Sequence, residues 1–207
     1  MYETPDTKSV ILNVAEELFA NDGLDRVSVR DITDAAKVHL GAVNYHFGSK
    51  DGLIAAVFER RVSPLNQERI AALDAAERAS AGGIPSIEAI LEAFIRPALS
   101  CCHGSSTSGT PFAKLFGRSL AESRPELEAL LSQQFAPVIA RFESAFLKAL
   151  PHLSRTEVFW RLKFTFGAFQ HWLLTRDKFM PEWVEKGDSE SQMKRLVGFA
   201  AAGFRGH

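Results

Sequence analysis

The sequence predicts an all-α fold of about nine helices. Three features lead to it. Apolar residues recur at helical spacing almost throughout, beginning with Val10, Ile11, Val14, Ala15, Leu18 and Phe19. The gaps between periodic segments hold capping residues and breakers. No run alternates apolar and polar residues in the way a half-buried strand requires. The chain has 207 residues, 46% of them hydrophobic, enough for one large domain or a small domain joined to a larger one.

The first helix starts at a cap supplied by Asp6 or Thr7 and stops at Asn21-Asp22-Gly23, where glycine accepts a left-handed conformation. The second opens at Ser28, whose spacing to Asp31 fits a capping box, and turns Ile32, Ala35 and Ala36 inward. A short third helix covers about Leu40 to Phe47. Ser49 caps the fourth, which carries Leu53, Ile54, Val57 and Phe58 inward and runs to about Ala79, with a bend expected at Pro64. Ser86 caps a helix ending near Cys102, and His103 to Gly109 reads as a loop. Pro111 starts a short helix; Ser123-Arg124-Pro125 starts a longer one with a kink expected at Pro137. Two further helices are expected over Thr156 to about Lys178 and Gln192 to Phe204.

The totals exclude several classes. Formal net charge is −1, so a nucleic-acid surface must be local. The start lacks the basic and apolar segments of a secretory signal, and the longest apolar run, Leu196 to Phe204, is too short to span a bilayer. A cytoplasmic protein is expected. Cys101 and Cys102 are adjacent, and a disulfide between them would staple nothing, so reduced thiols are expected.

Two helices joined by a turn of three or four residues, braced by a preceding helix, describe a helix-turn-helix. At about 100° per residue, Leu40, Val43 and Phe47 share one face of the third helix, facing Leu18, Phe19, Ile32 and Leu53. The other face then carries Gly41, Ala42 and Tyr45, flanked by Asn44 and His46. Two very small residues let a backbone approach base edges and thymine methyls, while Tyr45, His46 and Asn44 reach phosphates or bases. Ser49 and Lys50 at the next helix start, and Ser28 and Arg30 at the second, suit phosphate clamps. Residues 26–50 hold four basic and two acidic side chains, against a net −3 for residues 1–50. The footprint is small, so site affinity is expected to rely on two copies.

Residues 11–38, "ILNVAEELFANDGLDRVSVRDITDAAKV", and 41–58, "GAVNYHFGSKDGLIAAVF", resemble the DNA-binding domain of the TetR family of bacterial repressors. The spacing of Phe19, Gly23, Ile32, Ala36, Val38, Tyr45, Phe47, Lys50 and Leu53 carries the resemblance. It implies DNA contacts at Ser28, Arg30, His39, Gly41, Ala42, Asn44, Tyr45, His46 and Lys50. Lys37 departs from the pattern, which usually has glycine in that turn, and so implies some local strain. The implied organisation is an N-terminal helix-turn-helix domain, 1–58, followed by a larger helical domain, 59–207, that binds an effector and dimerises. The implied activity is that of a repressor released from a near-palindromic operator in double-stranded DNA by a small ligand, with no cofactor or metal.

Thirteen of the sixteen phenylalanines lie beyond Phe58. Phe166-Gly167-Ala168 and the stretch Phe199 to Phe204 mix small and large residues, which lets helices of two subunits approach closely. A two-fold four-helix interface from residues 156–178 and 191–204 is expected. "VNYHFGSK", "FWRLKF" at Phe159–Phe164 and "LVGFAAAGFR" are also similar to the PsrA-type, fatty-acid-responsive branch of that family. That similarity implies a small apolar effector such as a fatty-acyl compound. Its expected walls are Phe94, Ile95, Leu99, Phe112, Phe116, Phe135, Phe142, Phe166 and Phe169, with His103, Arg118, Gln170 and His171 as candidate polar partners.

Two other functions can be weighed. Cys101, Cys102 and His103 offer soft metal ligands or redox thiols, but consecutive residues diverge around a helix and no second cluster follows. An enzyme is not expected: the chain has no Gly-rich phosphate loop, no nucleophile-elbow spacing and no His-Glu-x-x-His run.

Overall fold

A computed structural model describes residues 6–102, 111–120, 124–175, 178, 180–185 and 187–206, the side chains of residues 100–102 excepted. These residues form nine α-helices and no strand. The helices are α1 (Thr7–Asp22), α2 (Val29–Ala36), α3 (Gly41–Phe47), α4 (Lys50–Ala79), α5 (Ile87–Cys102), α6 (Pro111–Ser119), α7 (Pro125–Ala149), α8 (Arg155–Thr175) and α9 (Ser189–Arg205). A short 3-10 turn, Ala81–Gly83, follows α4. Cys101 and Cys102 close α5, but their side chains, like the whole of His103, lie outside what is described.

Local chemistry sets most helix starts. Ser28, Ser49, Ser86 and Ser154 each accept an amide hydrogen from three residues on. Asp188 does the same for α9, which therefore begins before the expected Gln192. Asp6 holds the N-cap position of α1 without a side-chain bond. Pro64 and Pro137 both sit inside helices that continue through them.

The described residues fall into two compact units, each formed from two chain segments. Those within Met1–Pro64 and Gly104–Gln133 make the first, and those within Leu65–His103 and Gln134–His207 make the second. Thus α6 and the start of α7 fold with α1 to α3 and the first half of α4. In the first unit Ile11, Ala15, Phe19, Ile32, Val43, Leu53, Val57 and Phe58 are fully enclosed. Phe58 meets Phe112 and Phe116 of α6 at ring separations of 5.7 and 6.3 Å. Glu16 is buried on α1, yet its carboxylate takes Arg60 Nη2 at 2.6 Å and both forks of Arg61 at 2.8 and 2.9 Å. Such a pair is costly to break from one side, so it holds α1 and α4 in one register.

The second unit has a core of its own. Phe94 lies edge-on to Phe142 at 5.2 Å, and Phe146 stacks on Phe204 at 4.1 Å. Arg69 is buried, with its Nε donating to the Phe94 carbonyl at 2.9 Å and its guanidinium 4.3 Å from the Phe94 ring centre. Arg141 ties α7 to α4 through Glu77 and Asp74, at 2.9 and 2.8 Å. Arg161 of α8 donates to the carbonyls of Gly203, Phe204 and Gly206 and so closes the open end of α9.

Lys37 ends α2 in the left-handed region, at φ 54° and ψ 43°, the one non-glycine there among the described residues. A side chain in that conformation costs about 1 kcal/mol or more. Lys37→Gly should therefore raise stability by roughly 0.5–1 kcal/mol, after allowing for the greater freedom of glycine in the unfolded chain. Thermal melting checks this; a lower midpoint would show that the turn carries no strain.

Candidate nucleic-acid interface

Seven residues are too few for a helix to stand alone, so α3 depends on its surroundings. Val43 is fully buried and Phe47 half-buried, which fixes the rotation of the helix. Leu40 differs from the expectation: it lies at the N-cap and is 55% exposed. Its backbone is already helical, so it sits about 60° round the axis from Val43, at the edge of the buried face. Ala35 is likewise exposed on α2.

The outward ridge is as the 100° spacing requires. Tyr45 is 85% exposed, Gly41 and Asn44 are exposed, and Ala42 and His46 are partly covered. The His46 ring stands edge-on to Tyr45 at 4.9 Å, which stiffens the aromatic. His39, also exposed, acts locally. Its Nδ1 accepts the Gly41 amide hydrogen at 3.2 Å and closes the start of α3. A Cβ on Gly41 would meet only that ring, at an ordinary 3.5 Å. Nothing inside the described chain demands glycine there.

The helix starts beside this ridge are built differently. Ser28 and Asp31 form a complete capping box, with the Ser28 hydroxyl 2.7 Å and its amide 2.8 Å from Asp31 Oδ2. These bonds from Ser28 hold the Asp31 carboxyl below the usual carboxylate range. Arg30 projects into solvent with a 3.9 Å ion pair to Asp34. Lys50 reaches back to the Asp25 carbonyl at 3.4 Å, a long contact that a phosphate can replace.

The nine residues from Ser28 to Lys50 thus come together on α2, α3, their turn and the start of α4. The expected effector walls fall in both units. Phe94, Ile95, Leu99, Phe142 and Phe169 are buried in the second unit's core, and Phe166 packs against it. Phe135, near the Arg69 guanidinium, and half-buried Gln170 belong to the same unit. Phe112 and Phe116 instead pack on Phe58 in the first. Arg118 bonds the Asn21 carbonyl, His171 is exposed, and His103 lies outside the described residues.

Periodicity has no means of finding Gly52. A Cβ there would sit 2.0 Å from the Phe47 carbonyl oxygen, so α4 can follow α3 this closely only because the position is glycine. The only signal is a helix-disfavoured glycine in a first turn.

The chain matches two family models. Residues 11–57 fit "Bacterial regulatory proteins, tetR family", and residues 92–203 fit "Tetracyclin repressor-like, C-terminal domain". The chain belongs to the TetR family. Among curated relatives, the HTH-type transcriptional repressor Rv3405c of Mycobacterium tuberculosis is 43% identical over 54 residues, 26% of this chain and 29% of that protein. The HTH-type transcriptional repressor KstR2 of Rhodococcus jostii is 40% identical over 47 residues, 23% of each chain. The matches therefore span less than a third of these relatives. Among solved structures, the fatty acid degradation regulator FadR of Bacillus halodurans superposes with a TM-score of 0.69 at 15% identity, over the whole of both chains. A transcriptional regulator of Aquifex aeolicus gives 0.60 at 21% identity, over 97% of this chain and 98% of that one. At these identities the likeness concerns the TetR fold alone.

Gly52→Ala should cost about 1–3 kcal/mol of stability through overpacking against the Phe47 carbonyl. Chemical denaturation of the full-length chain measures it. A substitution within about 0.3 kcal/mol of neutral, inside the usual scatter of surface changes, would mean that α4 is free to move away from α3.

Proposed function

We propose that this TetR-family chain is a DNA-binding transcriptional repressor that reads a near-palindromic operator as a homodimer. Residues 1–58 hold the DNA-reading side chains, and 59–207 hold effector and dimerisation functions. The observation that carries the reading is the α3 ridge: Gly41, Ala42 and Tyr45 face outward beside two capped helix starts. Gly41 and Ala42 admit the major groove, Asn44 and Tyr45 meet base edges, and His39, His46, Ser28, Arg30 and Lys50 take phosphates. A repressor of this kind works in the cytoplasm; among the described residues no helix is long and apolar enough to cross a membrane.

Two features support the homodimer. Phe164 on α8 is 68% exposed and Phe199 on α9 is 72% exposed, with Phe159, Trp160 and Leu174 also uncovered. Exposed apolar area of this kind marks a contact surface. Added Cβ atoms on Gly167, Gly198 and Gly203 would meet nothing, although helix-interior glycine costs about 1 kcal/mol relative to alanine. Close approach by a second α8–α9 pair gives both a reason. Two copies carry two α3 ridges, one for each half-site of an operator.

The effector proposed for this repressor is a small apolar molecule such as a fatty-acyl compound, held among Phe94, Ile95, Leu99, Phe142, Phe166 and Phe169 with Gln170 and Phe135 at the edge. Supporting it is the concentration of aromatic side chains in one unit. A ligand that prefers the non-binding conformation tenfold lowers operator affinity by about 1.4 kcal/mol.

Tyr45→Ala combined with Lys50→Ala should abolish a gel shift on the promoter region of the protein's own gene while leaving the melting temperature unchanged. An unaltered shift would remove the site. Phe164→Glu with Phe199→Glu should give a monomer by native mass spectrometry and lose cooperative operator binding; a dimer retained by that variant places the interface elsewhere.

A further inference from the structure

The DNA-facing end of α4 carries more charge than residues 26–50 reveal. Asp25 lies in the turn between α1 and α2, and Asp51 in the first turn of α4; their side chains are 77% and 74% exposed. Both meet Arg124, the residue before α7, which pairs with Asp25 through Nη2 and stands 3.6 Å from Asp51 through Nη1. Lys50 Nζ contacts the carbonyl of the same Asp25 at 3.4 Å. One lysine, two carboxylates and one arginine therefore surround a helix start capped by Ser49. The Arg124 side chain is held in place, only 22% exposed, and with Ile54, Ala55, Leu127 and Leu130 it lines a cavity of about 50 Å³. Lys114 and Arg118 of α6 secure the neighbouring end of α1, bonding the Asn21 side chain at 3.1 Å and its carbonyl at 3.3 Å.

We propose that Arg124 is a charge-compensating, positioning residue for DNA binding: its single positive charge, shared between Asp25 and Asp51, offsets one of their two negative charges so that the start of α4 accepts a backbone phosphate. The inference rests on the reading that Ser49 and Lys50 meet DNA. A phosphate on the first-turn amides of α4 lies within a screening length of both carboxylates. At about 7 Å in salt water, each uncompensated carboxylate weakens phosphate binding roughly 1.5-fold. One guanidinium offsets one such charge, so its loss on each of two protomers compounds to about twofold. Arg124 does this from a distant part of the chain, without entering the groove.

The test uses the full-length protein and the duplex it selects from a randomised library, with affinity followed by fluorescence anisotropy and folding by circular dichroism. Arg124→Ala should bind about twofold more weakly, with the deficit shrinking as salt rises. Adding Asp25→Asn and Asp51→Asn to it should restore affinity to the wild-type level or above, because the repulsion is gone. Arg124→Ala binding like wild type overturns the proposal. So does a triple variant as weak as Arg124→Ala, since Arg124 would then act only by holding the turn. If Arg124→Ala does not fold, Arg124→Lys and Arg124→Gln decide: lysine binding like wild type with glutamine about twofold weaker supports compensation, and the two binding alike refutes it. Lys50→Ala checks the underlying reading. Unchanged affinity there removes the phosphate site and the proposal together; loss there with Arg124→Ala unaffected removes the proposal alone.

Discussion

The burial of Val43 is the constraint on which the candidate interface depends. It is the one fully enclosed residue of a seven-residue helix that has too few internal hydrogen bonds to persist alone. With Val43 inside, Tyr45 must stand outside, and Gly41 and Ala42 must flank it. A rotation of α3 by two residues, about 200°, would expose Val43 and turn the Tyr45 hydroxyl into the apolar seat, so the ridge is held by hydrophobic and polar costs together. His39 and Gly48 add backbone closure at the two ends, through the Gly41 amide and a positive-φ cap.

Around that seat, charge does more than decorate. Glu16 is buried and made tolerable by Arg60 and Arg61, which lock α1 to α4. Asp31 is bound into the capping box and is a weak competitor for incoming cations. Asp25 and Asp51 are left at the rim, opposite Arg124. All four acids are engaged by the unit's own arginines or by the Ser28 donors.

Local signals are the legible ones. The Ser28–Asp31 spacing announces a capping box, and Ser49 and Ser86 announce two further starts. These starts come from chemistry within four positions, whereas the left-handed Lys37 is announced only by its departure from the glycine usual in that turn of the family. Helix order is legible for the same reason, since periodicity and breakers act locally. Helix ends are less so: α9 starts at Ser189, ahead of Gln192, because Asp188 captures the Ser191 amide. Nothing local shows that α6 folds with α1. That depends on Phe112, Phe116, Lys114 and Arg118 meeting partners as far as 97 positions away in the chain. Gly52 and Arg124 are hidden likewise. Their roles exist only once the Phe47 carbonyl and the two aspartates have been brought to them.

Hydrogen exchange of the full-length protein, with and without the duplex it selects, tests the central claim most directly. Amides of residues 39–52 should gain protection on binding, while those of the second unit's core change little. Unchanged exchange across α3 and the start of α4, with protection appearing on another surface, would contradict the assignment of this ridge to DNA.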